Sequence, residues 1–177
     1  MFNKNIKLTA QKTRIRKFKE IDISLNYLKW LNDKERMKYS NQRFFTHDQR
    51  TALVYLESFK DTPNGFFAIE SIQTGAMIGT ITAYCNLHHK VVDVGIMIGD
   101  KNSHGQGFGY DSWSVFVDWL SQYKDIRKIT AGTLSINKPM IKIAKNSGMQ
   151  SDGFRRAQEL VKGLPVDTLY FAKYINT

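Results

Sequence analysis

Three glycines at alternate positions, Gly105, Gly107 and Gly109, sit between a β-patterned stretch and a helical one, and this junction constrains the chain more than any other feature. Upstream, Val92, Val94, Ile96 and Ile98 alternate along Val91 to Gly99, the period of a strand. Downstream, Trp113, Phe116, Val117 and Leu120 recur at i, i+3, i+4 and i+7, the period of a helix with one apolar face. Glycines at such a junction let backbone N–H groups approach an anion, and the helix N-terminus adds about half a positive charge. The spacing is neither the Gly-x-Gly-x-x-Gly of dinucleotide sites nor the Gly-Lys-Ser/Thr ending of a P-loop. On spacing alone, a phosphate cradle and an ordinary glycine-rich turn both remain open.

The rest of the chain supplies elements around that junction. Residues 11–18 alternate as a first strand. Asp22 is expected to cap a helix whose apolar residues are Ile23, Tyr27, Trp30 and Leu31. A second helix is expected to open at Thr46, with Thr46 and Gln49 as a capping box. Strands are expected over 66–71, 77–84, 91–99 and 128–135. A short helix runs from Pro139 to Gly148, in the usual order of proline at the start and glycine at the end. Two last strands, 154–161 and 166–175, flank a turn at Lys162-Gly163-Leu164-Pro165. The order is an α/β mixture with a largely antiparallel first half.

The 177 residues fit one domain, 1–177, on a prior of roughly 100–200 residues per domain. No repeat or linker interrupts them. Subtracting 16 acidic from 26 basic residues gives +10, which favours an anionic partner and weighs against a polycationic substrate. The one cysteine, Cys85, excludes an intramolecular disulfide, so a reducing compartment is expected. The stretch Met1 to Lys19 has no apolar core of a leader, and no run approaches the ~18 apolar residues of a membrane span. A cytoplasmic protein without a membrane partner is expected.

Two ordered motifs point to a family. His104-Gly105-Gln106-Gly107-Phe108-Gly109 resembles the Gln/Arg-x-x-Gly-x-Gly/Ala loop of the GNAT acetyltransferase superfamily, with His104 in place of the usual Gln or Arg. Asn137 to Met149 resembles its Asn-x-x-Ser-x-Arg-x-x-x-Lys-x-Gly-Phe block, with Asn137, Lys142 and Gly148 matching and Met140 and Met149 departing. Tyr27 to Asp33 is similar to the Trp-x-Asn-Asp segment of the branch that acetylates ribosomal-protein N-termini (RimJ/RimL-type), and to relatives that acetylate sugar nucleotides.

The resemblance implies a mixed, mostly antiparallel sheet of about six to seven strands with four helices, splayed between the fourth and fifth strands. It implies acetyl-CoA as co-substrate and no metal. Pantetheine would pair with backbone of Gly95, Ile96, Met97 and Ile98, and the acetyl carbonyl would take N–H donation from that strand. The pyrophosphate would sit on His104, Gly105, Gln106, Gly107, Phe108, Gly109 and Tyr110. Asn137 would meet pantetheine or a water, and Lys142 and Lys145 the 3′-phosphate, with solvated surface as the other reading of both lysines. Many relatives carry a tyrosine general acid seven residues after that Asn; here the position is Ala144.

A base is needed because the amine must lose a proton before it attacks. Asp93 is the first candidate, since it resembles the carboxylate of histone-type members; a solvated strand residue is its bland reading. Asn137 also fits a helix N-cap. His88 and His89 point apart in an extended chain and make a poor metal pair, and Cys85 fits a small buried hydrophobe better than a nucleophile. Tyr84 and Tyr170 are candidates to protonate the thiolate. The resemblance also implies that Met37, Tyr39, Gln42 and Arg43, with Tyr84, wall the acceptor pocket; ordinary loop packing is the other reading of the segment 37–43.

The expected function is acetyl transfer to a primary amine of a small molecule or peptide. A nucleotide-linked amino sugar is preferred on charge, and a protein N-terminus is the alternative. A non-catalytic nucleic-acid-binding module is the reading from another class, but the basic residues are scattered and carry no recognisable motif. Oligomeric state, homodimer included, is left open.

Overall fold

In a computed structural model, residue 2 and residues 6–175 are described; Met1 and residues 3–5 of the N-terminal stretch read for a leader lie outside them. The strands are β1 (Lys7–Thr9), β2 (Thr13–Lys17), β3 (Gly65–Ser71), β4 (Met77–Asn86), β5 (Val91–Ile98), β6 (Lys128–Leu134), β7 (Gln150–Val161) and β8 (Leu164–Tyr174). The α-helices are α1 (Leu25–Asn32), α2 (Gln49–Glu57), α3 (Phe108–Leu120) and α4 (Lys138–Asn146). All eight strands form one sheet in the order β1-β2-β3-β4-β5-β6-β8-β7. The strand beyond the expected six to seven is β1, three residues long and too short to show a period; it pairs antiparallel with β2. Every neighbouring pair is antiparallel except β5 and β6, which are parallel over Val91–Asp93 and Lys128–Thr130.

Alternation along the strands sends one set of side chains to each face. Ile15, Phe67, Ile69, Ile81, Val92, Val94 and Ile129 point to the face covered by α3 and α4. There Trp113, Phe116, Val117 and Leu120 are all fully buried, as their spacing requires. Each such side chain contributes roughly 1.5–3 kcal/mol through removal from water. Phe66, Ala68 and Met97 point to the other face, against Tyr27 and Trp30 of α1 and Ala52 of α2.

Two expected caps are corrected. Helix α1 is capped by Ser24, whose hydroxyl accepts from the Tyr27 N–H at 3.2 Å. Asp22 is buried instead against Arg16, with contacts of 2.6 and 2.8 Å, because a guanidinium on β2 offers a bidentate partner that a helix end does not. Helix α2 starts two residues later than expected. Asp48 is its cap, accepting from Thr51 N–H at 2.7 Å while the Thr51 hydroxyl accepts from Asp48 N–H at 2.9 Å. A charged carboxylate two residues on outcompetes the Thr46 hydroxyl as acceptor.

Candidate active site

Beyond Asp93 and Thr130 the pairing of β5 with β6 stops and the two strands part. The parting opens into a continuous cleft of about 1340 Å³. Its floor is Val94–Ile98 of β5 with Gly132 and Thr133 of β6. One end reaches Gly105, Gly107, Gly109 and Tyr110 with Lys142 of α4; the other reaches Met37, Tyr39 and Gln42, between α1 and α2.

At the first end the geometry is that of an anion cradle. Gly107 is the N-cap of α3 with φ +86°, a left-handed conformation that a side chain resists, and no side chain caps the helix there. The first intrahelical bond from this cap is Asp111 N–H to Gly107 O at 3.0 Å, which leaves the N–H groups of Phe108, Gly109 and Tyr110 at the helix mouth. A Cβ on Gly109 would stand 3.2 Å from Ile143 Cδ1, so this glycine lets α4 close on α3. Such a cradle fits a diphosphate, as helix N-termini with glycine approaches do.

Several side chains of the loop are engaged elsewhere. His104 Nε2–H donates to Ile98 O at 2.7 Å, tying the loop to the end of β5. The Gln106 amide donates to Asn102 O. Phe108 packs against the core. Lys142 lines the cleft and Lys145 does not.

Asn137 takes the capping role at α4, accepting from Met140 N–H at 3.3 Å. Its amide also donates to Thr133 Oγ1 at 3.0 Å, so it bridges α4 and β6 at the cleft wall. Ala144 is fully buried and reaches no part of the cleft.

Asp93 stands two residues before Gly95, where the strands part, and accepts from the Thr130 hydroxyl at 2.7 Å. It is not in the cleft lining. Surrounding protein pushes its carboxyl above the ordinary 3.8, against the pull of the Thr130 hydrogen bond.

At the other end, Met37, Tyr39 and Gln42 line the cleft, with Met37 buried. Arg43 does not: its guanidinium donates to Ser40 O at 2.7 Å and Leu160 O at 3.0 Å, and pairs with Glu159 at 3.5 Å. The expected substrate arginine is thus a tether to β7, because a carboxylate 116 residues away claims it. Tyr84 also lies outside the lining; its hydroxyl bonds at 2.7 Å to that of Tyr55, which does line the cleft. Desolvation holds the Tyr55 phenol above its ordinary 10.0.

Tyr170 packs beside Gly132 with Arg155 over its ring at 5.5 Å. His88 and His89 are exposed in the β4–β5 turn. Cys85 is half-buried, and burial pushes its thiol up to about 11, away from nucleophilic use. Among the described residues no group of three or more His, Cys, Asp or Glu could hold a metal, and no helix is long and apolar enough to cross a membrane.

Sequence reasoning missed Tyr55 and His47. Tyr55 counted only as an apolar position of α2. The backbone of His47 is held on both sides by the Asn32 amide, at 2.8 and 2.7 Å, and its Nε2 is buried at the cleft with no hydrogen-bond partner among the described residues. No local pattern announces either.

A family model described as an acetyltransferase (GNAT) domain matches residues 12–150. An N-acetyltransferase 9-like protein of Caenorhabditis briggsae is 20% identical over 187 residues, covering 98% of this chain and 94% of its own. Among solved structures, a ribosomal L7/L12 α-N-protein acetyltransferase in complex with coenzyme A superimposes with a TM-score of 0.84 at 15% identity, over 96% of this chain and 98% of that one. A spermidine N-acetyltransferase of Vibrio cholerae, in complex with coenzyme A and spermine, gives 0.81 at 17% identity, over 92% and 95%.

Proposed function

The chain belongs to the GNAT acetyltransferase family, and from that membership we propose that it transfers an acetyl group from acetyl-CoA directly to the primary amine of a nucleotide-linked amino sugar. It is an acetyl-CoA-dependent acyltransferase, which displaces the reading as a non-catalytic nucleic-acid module. The observation that carries the choice of acceptor is the charge at that end of the cleft. Its two carboxylates are both engaged, Asp33 by Arg36 at 3.3 Å and Glu35 by Lys162 at 3.2 Å. Lys38, which lies over the Tyr39 ring at 5.1 Å, has no acidic partner among the described residues. An end with paired acids and a free ammonium attracts an anion and repels a polycation. This is the local counterpart of the +10 net charge.

Acetyl-CoA, when bound, supplies the acetyl group. The glycine loop and the mouth of α3 would hold its pyrophosphate, and Lys142 its 3′-phosphate. The backbone groups of Gly95–Ile98 that face away from β4 have no strand partner and would hold pantetheine. Asn137 braces that wall through Thr133. Asp93 is the proposed proton acceptor for the amine: it shares the Gly95 face of β5, and its raised pKa makes it a better base than an ordinary carboxylate. It stands one rung outside the cleft lining, so the proton would reach it through water. Tyr39, Gln42 and His47 offer polar contacts to the acceptor.

A thiol-release assay over UDP- and dTDP-linked amino sugars, peptides with N-terminal Ala or Ser, and spermidine tests the reading. Turnover is expected with an amino sugar. Turnover of peptides alone would assign the chain to protein N-termini, and turnover of spermidine would show that the charge argument fails locally.

A further inference from the structure

No lysine or arginine stands within residues 104–110 of the cradle, and the His104 ring is spent on Ile98 O. A cation nevertheless reaches it from elsewhere. Lys12, in the turn between β1 and β2, donates from Nζ to Gln106 O at 2.8 Å. The ammonium lies 3.7 Å from where a Cβ on Gly107 would stand and 5.9 Å from the Phe108 ring centroid. An ammonium has three donors, and Gln106 O takes one of them.

The turn is held in place by Asp111 in the first turn of α3. Its carboxylate accepts from Gln11 N–H at 3.2 Å, Lys12 N–H at 3.0 Å and the Thr13 hydroxyl at 2.7 Å. Asp111 thus fixes the Lys12 backbone, while no carboxylate among the described residues forms an ion pair with the Lys12 ammonium. Lys12 lines a second groove and not the main cleft, but the two share Gly107 and Tyr110, which places its charge at the edge of the cradle.

We propose that Lys12 is a binding residue for the pyrophosphate of acetyl-CoA, delivered to the glycine loop from the β1–β2 turn in place of a side chain from the loop itself. The inference rests on the reading of that loop as the pyrophosphate site. It makes cofactor affinity depend on a strand pair at the sheet edge, 94 residues away in sequence from Gln106.

Calorimetric titration of the full chain tests this, using acetyl-CoA and 3′-dephospho-CoA with wild type, Lys12→Met, Lys12→Arg and Gly107→Asp. Lys12→Met should weaken both ligands to the same degree, by about five- to twenty-fold, since a charge-assisted contact at an exposed site is lost. Lys12→Arg should restore most of the affinity. The gap between wild type and Lys12→Met should narrow as salt is raised. Affinity within twofold of wild type in Lys12→Met, or a loss seen only with acetyl-CoA, would overturn the proposal; the second result would assign Lys12 to the 3′-phosphate. A loss that does not respond to salt and is not rescued by Arg would reduce Lys12 to a structural pin. Gly107→Asp separates the two readings. If it leaves affinity intact, the loop is not the pyrophosphate site; if it abolishes binding while Lys12→Met is silent, Lys12 alone fails.

Discussion

On the face of the sheet covered by α3 and α4, apolar side chains interdigitate without interruption, and Trp113, Phe116, Val117 and Leu120 are sealed from solvent. On the opposite face the buried set is small, centred on Phe18, Tyr27, Trp30 and Phe66, and Phe44, Phe45 and Val54 remain exposed beside it. Side-chain bonds hold this second face together instead: Arg16 to Asp22, Asn32 to His47, Arg43 to Glu159 and Leu160. The difference fits the two tasks proposed above: the end proposed for the cofactor is backbone on a densely packed core, and the end proposed for the acceptor is polar contacts on a lightly packed layer.

The sharpest break would come at the cradle. Gly107→Asp places a carboxylate and a Cβ at a left-handed position, and acetyl-CoA binding by calorimetry should be lost, more than about 100-fold, with the fold intact by circular dichroism. Asp93→Asn should lower kcat by about 10²–10⁴-fold with acetyl-CoA affinity unchanged. A rate within a few-fold of wild type would remove Asp93 from the mechanism. Its pKa also fixes a sign. Since the folded value lies above 3.8, the ionised carboxylate costs the fold some stability at neutral pH, a cost kept small by the residue's exposure to solvent, and it fades as pH falls through the raised value. Asp93→Asn should therefore melt no lower than wild type at pH 7, while wild-type activity should fall on an acid limb placed above 3.8.

The two faces should differ next in stability. Trp113→Ala should cost about 3–5 kcal/mol in denaturant unfolding, because its indole is fully buried and its loss leaves a cavity. Phe45→Ala at the acceptor mouth should stay within about 0.5 kcal/mol. Equal losses would mean that the acceptor layer is packed as tightly as the other. The smallest effect is expected for Arg43→Ala: acceptor KM rising a few-fold, with acetyl-CoA binding unchanged, as the tether to β7 is released.

The same contrast decides what the sequence discloses. The α3 stripe, the glycine loop and the Pro139-to-Gly148 helix are local patterns, and each falls where its period or punctuation puts it. The parting of β5 and β6 follows from the family resemblance carried by those same local motifs. The misread features depend on competition or distance. Thr46 loses the α2 cap to Asp48, and Asp22 loses the α1 cap to Ser24 because Arg16 binds it first. Arg43 looks free until Glu159 is folded beside it, and nothing local announces that Lys12 reaches Gln106 once the β1–β2 turn docks on Asp111. A pocket assembled from side-chain partners far apart in the chain leaves no periodic trace.

The short contact between β5 and β6 has one more consequence. Three residue pairs join them, against eight between β4 and β5 and seven between β6 and β8. The sheet is two panels sewn by a brief seam, and the edge of β5 past Asp93 is backbone without a neighbour. In hydrogen exchange that seam should open before either panel does. A ligand laid along residues 94–98 would close it like an added strand, slowing exchange on β5 and, through the stiffened seam, on β6 and β8 as well.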